Sequence, residues 1–487
     1  MLPSSIKKLL TSETAGSDNR VSVSGWVKSI RCQKSVSFAM ISDGSTSNSL
    51  QAGFQLSLHL NTSCVVSSLT NGACVRLEGK LVDSPGVGQD KELRVEELQV
   101  LGACPPETYP IQKKELSLEY LRNNVHFRAR TERIAAMLRL RDKLMQGIHS
   151  YFKSQEFVYI HTPILTANDT EGAGETFRIA PTKETYSDAL SEFFSLPAHL
   201  TVSSQLHLEA FQTAMSRVYT LNPTFRAERS HTNRHLAEFW MLEAEWGLSA
   251  PANDGGDLQE LCDVVEDLVR HTIAHAMADA TCTSDIQLLN GPATSRVDAL
   301  RSVSDALARW PRMTYTEAVG VLQARHAQRS FAIPPQLGAS LASEHERYLA
   351  EEVIQGPVFI TEYPQVVKAW YMRSIDPSRE MPLVACFDLL VPHMGELAGG
   401  SVREDRYNVL KANMERYGLV SGQRNSTEET GASPGGPYDW YLSLRKHGSA
   451  PHGGFGIGFE RFVGWVGGIE HVKECIPVPR TAGRIDL

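Results

Sequence analysis

The sequence predicts an α+β protein in two parts, a small N-terminal β-barrel followed by a larger domain in which a mostly antiparallel sheet is flanked by helices. Two observations carry this. Between Val21 and Gly102, short runs rich in β-branched and aromatic residues recur between Gly, Ser, Asn and Asp clusters. From about Ser117 onward, stretches with apolar residues at helical spacing alternate with strand-like runs. At 487 residues, 42 % of them hydrophobic and 21 % charged, the chain is long enough for two or three domains with a large buried core.

The elements follow in order. Residues 1–20 carry Lys7, Lys8 and Arg20 among serines, but also Glu13 and Asp18, so they read as an N-terminal tail and a poor or already trimmed transit peptide. Residues 21–103 hold the runs VSVSGWV, VSFAMI, ACVRLEG and LRVEELQVL, enough for a small closed barrel. Barrels of the OB type bind single-stranded nucleic acid. Trp26 is expected in the barrel core. Residues 104–135 form a hinge that starts rich in Pro and charge, and long helices are expected within Ser117–Phe152. Residues 136–487 form the second domain. Its strand-like runs are FVYIHTPIL, HLTVSSQ, RVYTLNPTF, EFWMLEAEW, GPVFITEYP, LVACFDLLV and FGIGFE, with helices around Leu258–Ala278 and Arg403–Tyr417. Residues 421–436, rich in Gly, Ser and Thr, read as a disordered surface insertion.

Composition excludes several classes. The apolar stretch Gly456–Ile469 is broken by Glu460 and Arg461, short of the roughly 18 uninterrupted apolar residues a membrane helix needs, so no membrane partner is expected. Eight cysteines are scattered from Cys32 to Cys475 without a C-x-x-C pair, which suggests neither a disulfide framework nor a zinc site. A net charge of −8 argues against a protein that coats nucleic acid through phosphate contacts alone, and leaves room for local basic patches.

The chemistry concentrates in PTFRAERSHTNRHLAEFWMLEAEW, residues 223–246, where acidic and basic residues are interleaved between two strand-like runs. Arg226 ends one strand and its planar guanidinium can fork onto a phosphate. Glu228 shares its face and can accept from an amino group such as that of adenine. On a strand, such a pair is far more often a surface ion pair than a nucleotide site. The run GGFGIG near the C-terminus suggests a phosphate loop, but no G-K-[ST] follows and no βαβ unit surrounds it.

Three segments in order carry a resemblance. FRAERSHTNRHLAEFWMLE resembles motif 2 of the class II aminoacyl-tRNA synthetases, FVYIHTPILTANDTEGAGETF resembles motif 1 and its extension, and HGGFGIGFERFV resembles motif 3. The barrel is similar to the anticodon-binding domain of subclass IIb, the aspartyl, asparaginyl and lysyl enzymes. The resemblance implies a six- or seven-stranded antiparallel sheet with ATP bent across it, and a homodimer built partly around Pro163. Arg226 is then expected on the α-phosphate and Arg461 on the γ-phosphate, the two catalytic cations. Glu228, with the backbone at His235 and Leu236, would place the adenine and remaining phosphates. Phe239 would stack under the purine, and Glu396 and Gly458 would complete the ATP site. Mg²⁺ would be held by Asp388 and Glu396, with Ser401 a lesser candidate, because hard cations take carboxylate and hydroxyl oxygens. Gly399 and Gly400 would let the backbone close on the substrate.

Within the subclass, substrate choice is a question of charge, since aspartate brings a second carboxylate where asparagine brings a neutral amide. The aspartyl enzymes place a lysine on a strand where this chain has Leu208. At the end of motif 2 stands Glu243, whose carboxylate can accept from an amide NH₂ and repel aspartate. Arg403 would donate to the amide carbonyl, and Glu171 and Gln205 would bind the α-ammonium. These features, with the runs YIHTPILTANDTEGAGE and LTVSSQLHLEA, look more like the asparaginyl members. L-asparagine, ATP and tRNA(Asn) are the expected substrates. On the barrel, Phe38 would stack on the central anticodon base, with Arg31, Gln51 and Glu97 at its edge. Three alternatives compete: an aspartyl enzyme that charges both tRNAs, a relative that makes asparagine from adenylated aspartate and lacks the barrel, and a non-catalytic RNA-binding paralogue. The chain resembles the compact mitochondrial and bacterial-like enzymes, so the mitochondrial matrix is the expected compartment, with the cytoplasm as the alternative.

Overall fold

A computed structural model describes residues 4–12, 20–33, 35–55, 66, 68–86, 89–170, 175–181, 193–229, 235–249, 256–291, 295–375, 380–420 and 436–487. The chain divides into two compact units. One comprises residues 1–140, 279–292 and 487; the other comprises residues 141–278 and 293–486.

In the first unit, strands β1 (Arg20–Cys32), β2 (Val36–Ser42), β3 (Leu50–Gln55), β4 (Cys74–Asp83) and β5 (Lys91–Gly102) close a barrel in the order β1-β2-β3-β5-β4. Alternate residues point inward, as period-two patterning requires. Val23, Val27, Ala39, Ile41, Leu50, Ala52, Phe54, Val75, Leu77 and Leu81 form its core. The segment read as a tail contributes a helix, α1 (Ile6–Thr11), whose Ile6 and Leu9 enter the same core. Ser5 caps it, and Asp43 Oδ2 accepts from the Ile6 N–H at 2.8 Å. Two apolar residues one turn apart are too short a signal to reveal such a plug from sequence. Trp26 is not core: it lies out of phase with Val23 and Val27, is 41 % exposed, and carries the Arg130 guanidinium 5.9 Å from its ring. Helix Ala280–Asn290 belongs to this unit, with Asp279 accepting from the N–H groups of Thr281 and Cys282. Within 104–135 lie two short helices, Leu118–Asn123 and Val125–Arg128; α2 (Glu132–Ser154) then runs through the division at Leu140.

The second unit is built on an eight-stranded sheet. It uses β6 (Val158–Tyr159), β10 (Arg217–Phe225), β11 (Glu238–Gly247), β12 (Arg312–Thr314), β13 (Val358–Thr361), β14 (Cys386–Val391), β15 (Gly395–Val402) and β16 (His452–Gly458). The order is β12-β13-β14-β15-β16-β11-β10-β6. The six central strands pair antiparallel, whereas β10–β6 and β12–β13 pair parallel, so the sheet is mixed and larger than the six or seven antiparallel strands expected. Both edges arise from helical crossovers, which parallel pairing needs. Helix α3 (Gln205–Met215) lies between β6 and β10, and α5 (Tyr315–Gln328) between β12 and β13. A separate small sheet contains β7 (Leu165–Thr166), β8 (Arg178–Ile179) and β9 (Ala198–Leu200).

Helix α4 (Gly256–Met277) packs on β14, β15 and β16, burying Leu261, Val265 and Leu268. After it come helices not expected from the sequence, Arg296–Asp305, α5 and Ser343–Tyr348. Helices α6 (Tyr407–Arg416), α7 (Asp439–Leu444) and α8 (Phe459–Gly467) complete the unit. The expected insertion at 421–436 lies outside the described residues except for Gly436. No described helix is long and apolar enough to cross a membrane.

Candidate active site

Strand register builds the site. Across the sheet, Asp388 on β14, Gly399 on β15, Gly456 on β16 and Glu243 on β11 lie in one row. Paired residues present their side chains to the same face, so the register sets two glycines side by side between two carboxylates. The result is a bare backbone floor beneath a cavity of about 290 Å³. Gly400 and Gly454 are required for packing: a Cβ on Gly400 would lie 2.5 Å from the Phe387 ring, and one on Gly454 would lie 2.2 Å from the Ala244 carbonyl.

One end of the cavity is cationic. Arg226 follows β10 and holds Phe239 in a cation–π contact, 5.5 Å from the ring. Glu228 stands 4.0 Å from Arg226 and 3.1 Å from the ring nitrogen of His235. Arg461, on the first turn of α8 after Gly458, donates to the Glu396 carbonyl at 3.0 Å and lies 3.6 Å from the Glu396 carboxylate. Arg226, Glu228, His235, Leu236, Phe239, Glu396, Gly458 and Arg461 all line this cavity. These are the residues read from sequence as the ATP set.

The two carboxylates expected to hold a metal converge at Gly399, where a Cβ would meet Glu396 Oε1 at 3.3 Å and Asp388 Oδ1 at 3.5 Å. Burial opposes charge on Glu396, but Arg461, Lys368 and Arg226 together hold its carboxyl below the ordinary range. Asp388 is engaged by a residue the sequence reading missed: Lys368 Nζ reaches both carboxylate oxygens at 2.7 Å and sits 4.0 Å from the Tyr363 ring centroid. Burial disfavours the ammonium, yet the partner carboxylate keeps it charged. Mg²⁺ typically takes one or two carboxylates plus substrate oxygens. Glu396 fits that role, and Asp388 fits it once Lys368 gives way. Among the described residues no cluster of three or more His, Cys, Asp or Glu could hold a metal without such substrate oxygens. Ser401 does not belong to this set: its hydroxyl is fully buried and accepts from Arg403 Nη1 at 2.7 Å.

The other end carries Glu243 and Arg403. Glu243 is buried, and each of its oxygens has a partner, the Ser203 hydroxyl at 2.5 Å and the Ser204 N–H at 2.8 Å. Burial raises its carboxyl above the ordinary range, with those two donors opposing the rise. Two residues along the same face, Glu245 grips Arg403 through Nε at 3.2 Å and through Nη2. Arg403 also lies 5.2 Å from the Tyr371 ring centroid. Gln205, at the start of α3, lines the cavity and donates Nε2 to Glu209 at 3.0 Å. Leu208 departs from its expected place: it lies on α3 rather than on a strand, is fully buried, and is absent from the cavity wall. The β-run ends at Leu200, and the chain turns into a helix whose first N–H groups meet Ser203 and Glu243. Glu171 lies outside the described residues. Pro163 is exposed, between the exposed apolar residues Val158, Tyr159, Ile164 and Leu165 at the β6 edge of the sheet.

On the barrel, Phe38 faces outward, since its strand neighbours Ser37 and Ala39 are the buried ones. Its ring spreads over Gly53, whose missing side chain leaves the ring face accessible. Register aligns Arg31, Phe38, Gly53 and Arg94 in one row. Gln51 donates to Glu92 at 3.1 Å, with the two residues paired in the adjoining register. Glu97 is elsewhere, ion-paired to Arg20 at 2.6 Å and opposite Glu78 on β4. The acidic partner at the Gln51 edge is therefore Glu92, three residues before the β4–β5 bulge at Glu78/Gly79 shifts the strand phase.

Comparison with known proteins gives consistent relatives. Residues 117–482 match the family of tRNA synthetases class II (D, K and N), and residues 21–101 match the OB-fold nucleic acid binding domain. An asparagine–tRNA ligase from Desulfotalea psychrophila is 42 % identical over 464 residues, covering 95 % of each chain. An asparaginyl-tRNA synthetase from Homo sapiens is 40 % identical over 478 residues, covering 98 % of this chain and 93 % of the other. Among solved structures, asparaginyl-tRNA synthetase from Pyrococcus horikoshii complexed with asparaginyl-adenylate superposes with a TM-score of 0.82 at 27 % identity, covering 100 % of this chain and 99 % of that one.

Proposed function

The chain belongs to the class II tRNA synthetases, within them to the asparagine–tRNA ligases, and from that premise we propose how its residues divide the work of activating asparagine with ATP and charging tRNA. The observation that carries the assignment of roles is the polarity of the cavity. Arg226, Arg461 and the Phe239 ring occupy one end, while Glu243 and the Glu245-bound Arg403 occupy the other, with a glycine floor between them.

Asparagine's carboxylate oxygen attacks the α-phosphorus, the bond to the bridging β-oxygen breaks, and asparaginyl-adenylate and pyrophosphate form. Arg226 stabilises the charge that grows on the α-phosphate, and Arg461 holds the outer phosphates. Phe239 supports the purine, and Glu228 accepts from its amino group. The terminal ribose hydroxyl of tRNA then attacks the acyl carbon and AMP leaves. No protein nucleophile is needed, and the acceleration comes from alignment and preorganised charge. Glu396 and Asp388 would hold Mg²⁺, which when bound neutralises phosphate charge. Glu243 accepts from the side-chain amide while Arg403 donates to its carbonyl, and Gln205 accepts from the α-ammonium.

Two further features are proposed on separate grounds. The exposed apolar run from Val158 to Leu165 around Pro163 supports a homodimer joined at that edge. The mitochondrial matrix, with the cytoplasm as the alternative, is proposed from the compact, bacterial-like sequence pattern alone. The function is tested by offering the twenty amino acids singly with ATP and unfractionated tRNA. Esterification of asparagine alone is expected; esterification of aspartate at a similar rate would overturn the substrate assignment.

A further inference from the structure

One buried carboxylate in the synthetase unit has no part in the mechanism above. Glu209 lies on α3, fully buried, one residue after Leu208. Its Oε2 accepts from the Tyr441 hydroxyl at 2.7 Å and from Arg445 Nη2 at 2.7 Å, and faces His452 Nε2 at 3.0 Å. Its Oε1 accepts from Gln205 Nε2 at 3.0 Å and stands 3.9 Å from Arg403 Nε. Burial opposes its charge, but Arg445, His452 and Arg403 hold its carboxyl well below the ordinary range. A fully buried anion is costly unless paired, so this group is ionised and committed to its partners.

Two of those partners line the cavity, Gln205 and Arg403. A carboxylate only accepts, so the bond from Gln205 Nε2 fixes the orientation of that amide and leaves its oxygen as the group offered to the cavity. Arg403 stands between two carboxylates. Glu245 takes Nε and one edge of Nη2, Ser401 takes Nη1, and Glu209 approaches Nε from the side. An arginine that captures a carboxylate presents an open fork of paired donors. Here the Nε/Nη2 edge is taken by Glu245 and one Nη1 hydrogen by Ser401, and the charge is faced by two carboxylates. With its charge compensated in this way, the donors that remain on Nη1 and Nη2 favour a neutral carbonyl oxygen over a second anion.

We propose that Glu209 is a specificity-positioning residue: it orients Gln205 toward the substrate ammonium and, with Glu245, compensates Arg403 so that the pocket accepts an amide and refuses a carboxylate. The proposal rests on the amino-acid site assigned above and places part of the discrimination one layer behind it. Charge, more than shape, is then what Glu209 contributes.

The test compares amino-acid-dependent pyrophosphate exchange with asparagine and with aspartate in the full-length wild type, Glu209→Gln and Glu209→Asp. For Glu209→Gln, which keeps the shape and removes the charge, the ratio of kcat/KM for asparagine over aspartate is expected to fall about tenfold or more, chiefly because aspartate improves. For Glu209→Asp, which keeps the charge and shortens the reach, KM for asparagine is expected to rise with the ratio held within about threefold. KM for ATP should move in neither. An equal loss toward both amino acids in Glu209→Gln, with the ratio unchanged, would overturn the proposal and leave Glu209 a packing residue. So would relaxation of the ratio by Glu209→Asp, and this arm decides alone if Glu209→Gln does not fold. A wild type with no preference for asparagine would instead overturn the substrate reading itself.

Discussion

Arg226, one residue past β10, and Glu243 on β11 are assigned different tasks in the proposed mechanism, one at the phosphate and one at the amino acid. With Arg226 proposed to act where negative charge grows, Arg226→Ala is expected to lower kcat/KM for adenylate formation by about 100- to 1,000-fold. Direct tRNA binding, measured by filter retention, should stay near the wild-type value; equal loss in both assays would contradict the division of labour. Glu243→Gln removes a charge that aspartate would meet and should narrow the preference for asparagine. The substitution also turns an amide N–H₂ toward Ser203 or Ser204, both donors now, so it should destabilise the fold by about 1–3 kcal/mol in a denaturant titration. Unchanged discrimination would shift the selectivity to Glu209, Glu245 and Arg403.

At the scale of elements, the site was legible where one strand supplies several of its residues. Phe239, Glu243 and Glu245 are spaced by four and two residues and share a strand face, so EFWMLEAEW displays them in a single run. Lys368 and Asp388 are 20 residues apart, and Glu209 and Arg445 are 236 apart; no local pattern ties such partners together. The turn from β9 into α3 was missed because HLTVSSQ has β-type composition, while the helix start is fixed by a tertiary contact, Glu243 accepting from the Ser204 N–H. Glu97 was expected at the Gln51 edge, where the register instead sets Glu92; the bulge in the β4–β5 ladder, which resets the strand phase, leaves no mark in composition. One helix start is written locally. Thr314 and Glu317 form a capping box on α5, and the Thr314 N–H and hydroxyl hold the Glu317 carboxyl below the ordinary range. A depressed folded pKa means the contribution is fully present above the unfolded value, about 4.3, and is lost as pH falls through the folded one. Wild type is therefore expected to melt above Glu317→Gln at pH 7, with the difference shrinking below about pH 4. A difference that grew on acidification would contradict this sign.

For the whole molecule, the α+β class and the barrel-then-sheet order follow from pattern periods that persist over long stretches, which is why they could be read in advance. The N-terminal helix and the parallel sheet edges could not, since each depends on a few residues meeting a distant surface. The two units also predict separable defects. Phe38→Ala on the barrel removes an outward ring, and it is expected to weaken tRNA binding by about 1–3 kcal/mol. Pyrophosphate exchange, which needs no tRNA, should be unaffected. An equal fall in exchange would mean that the barrel face contributes to the catalytic unit. Whether this cavity activates asparagine and refuses aspartate is measured most directly by pyrophosphate exchange into ATP with each amino acid supplied in turn. Rapid exchange with asparagine and only trace exchange with aspartate is expected; strong exchange with aspartate and none with asparagine would contradict this selectivity.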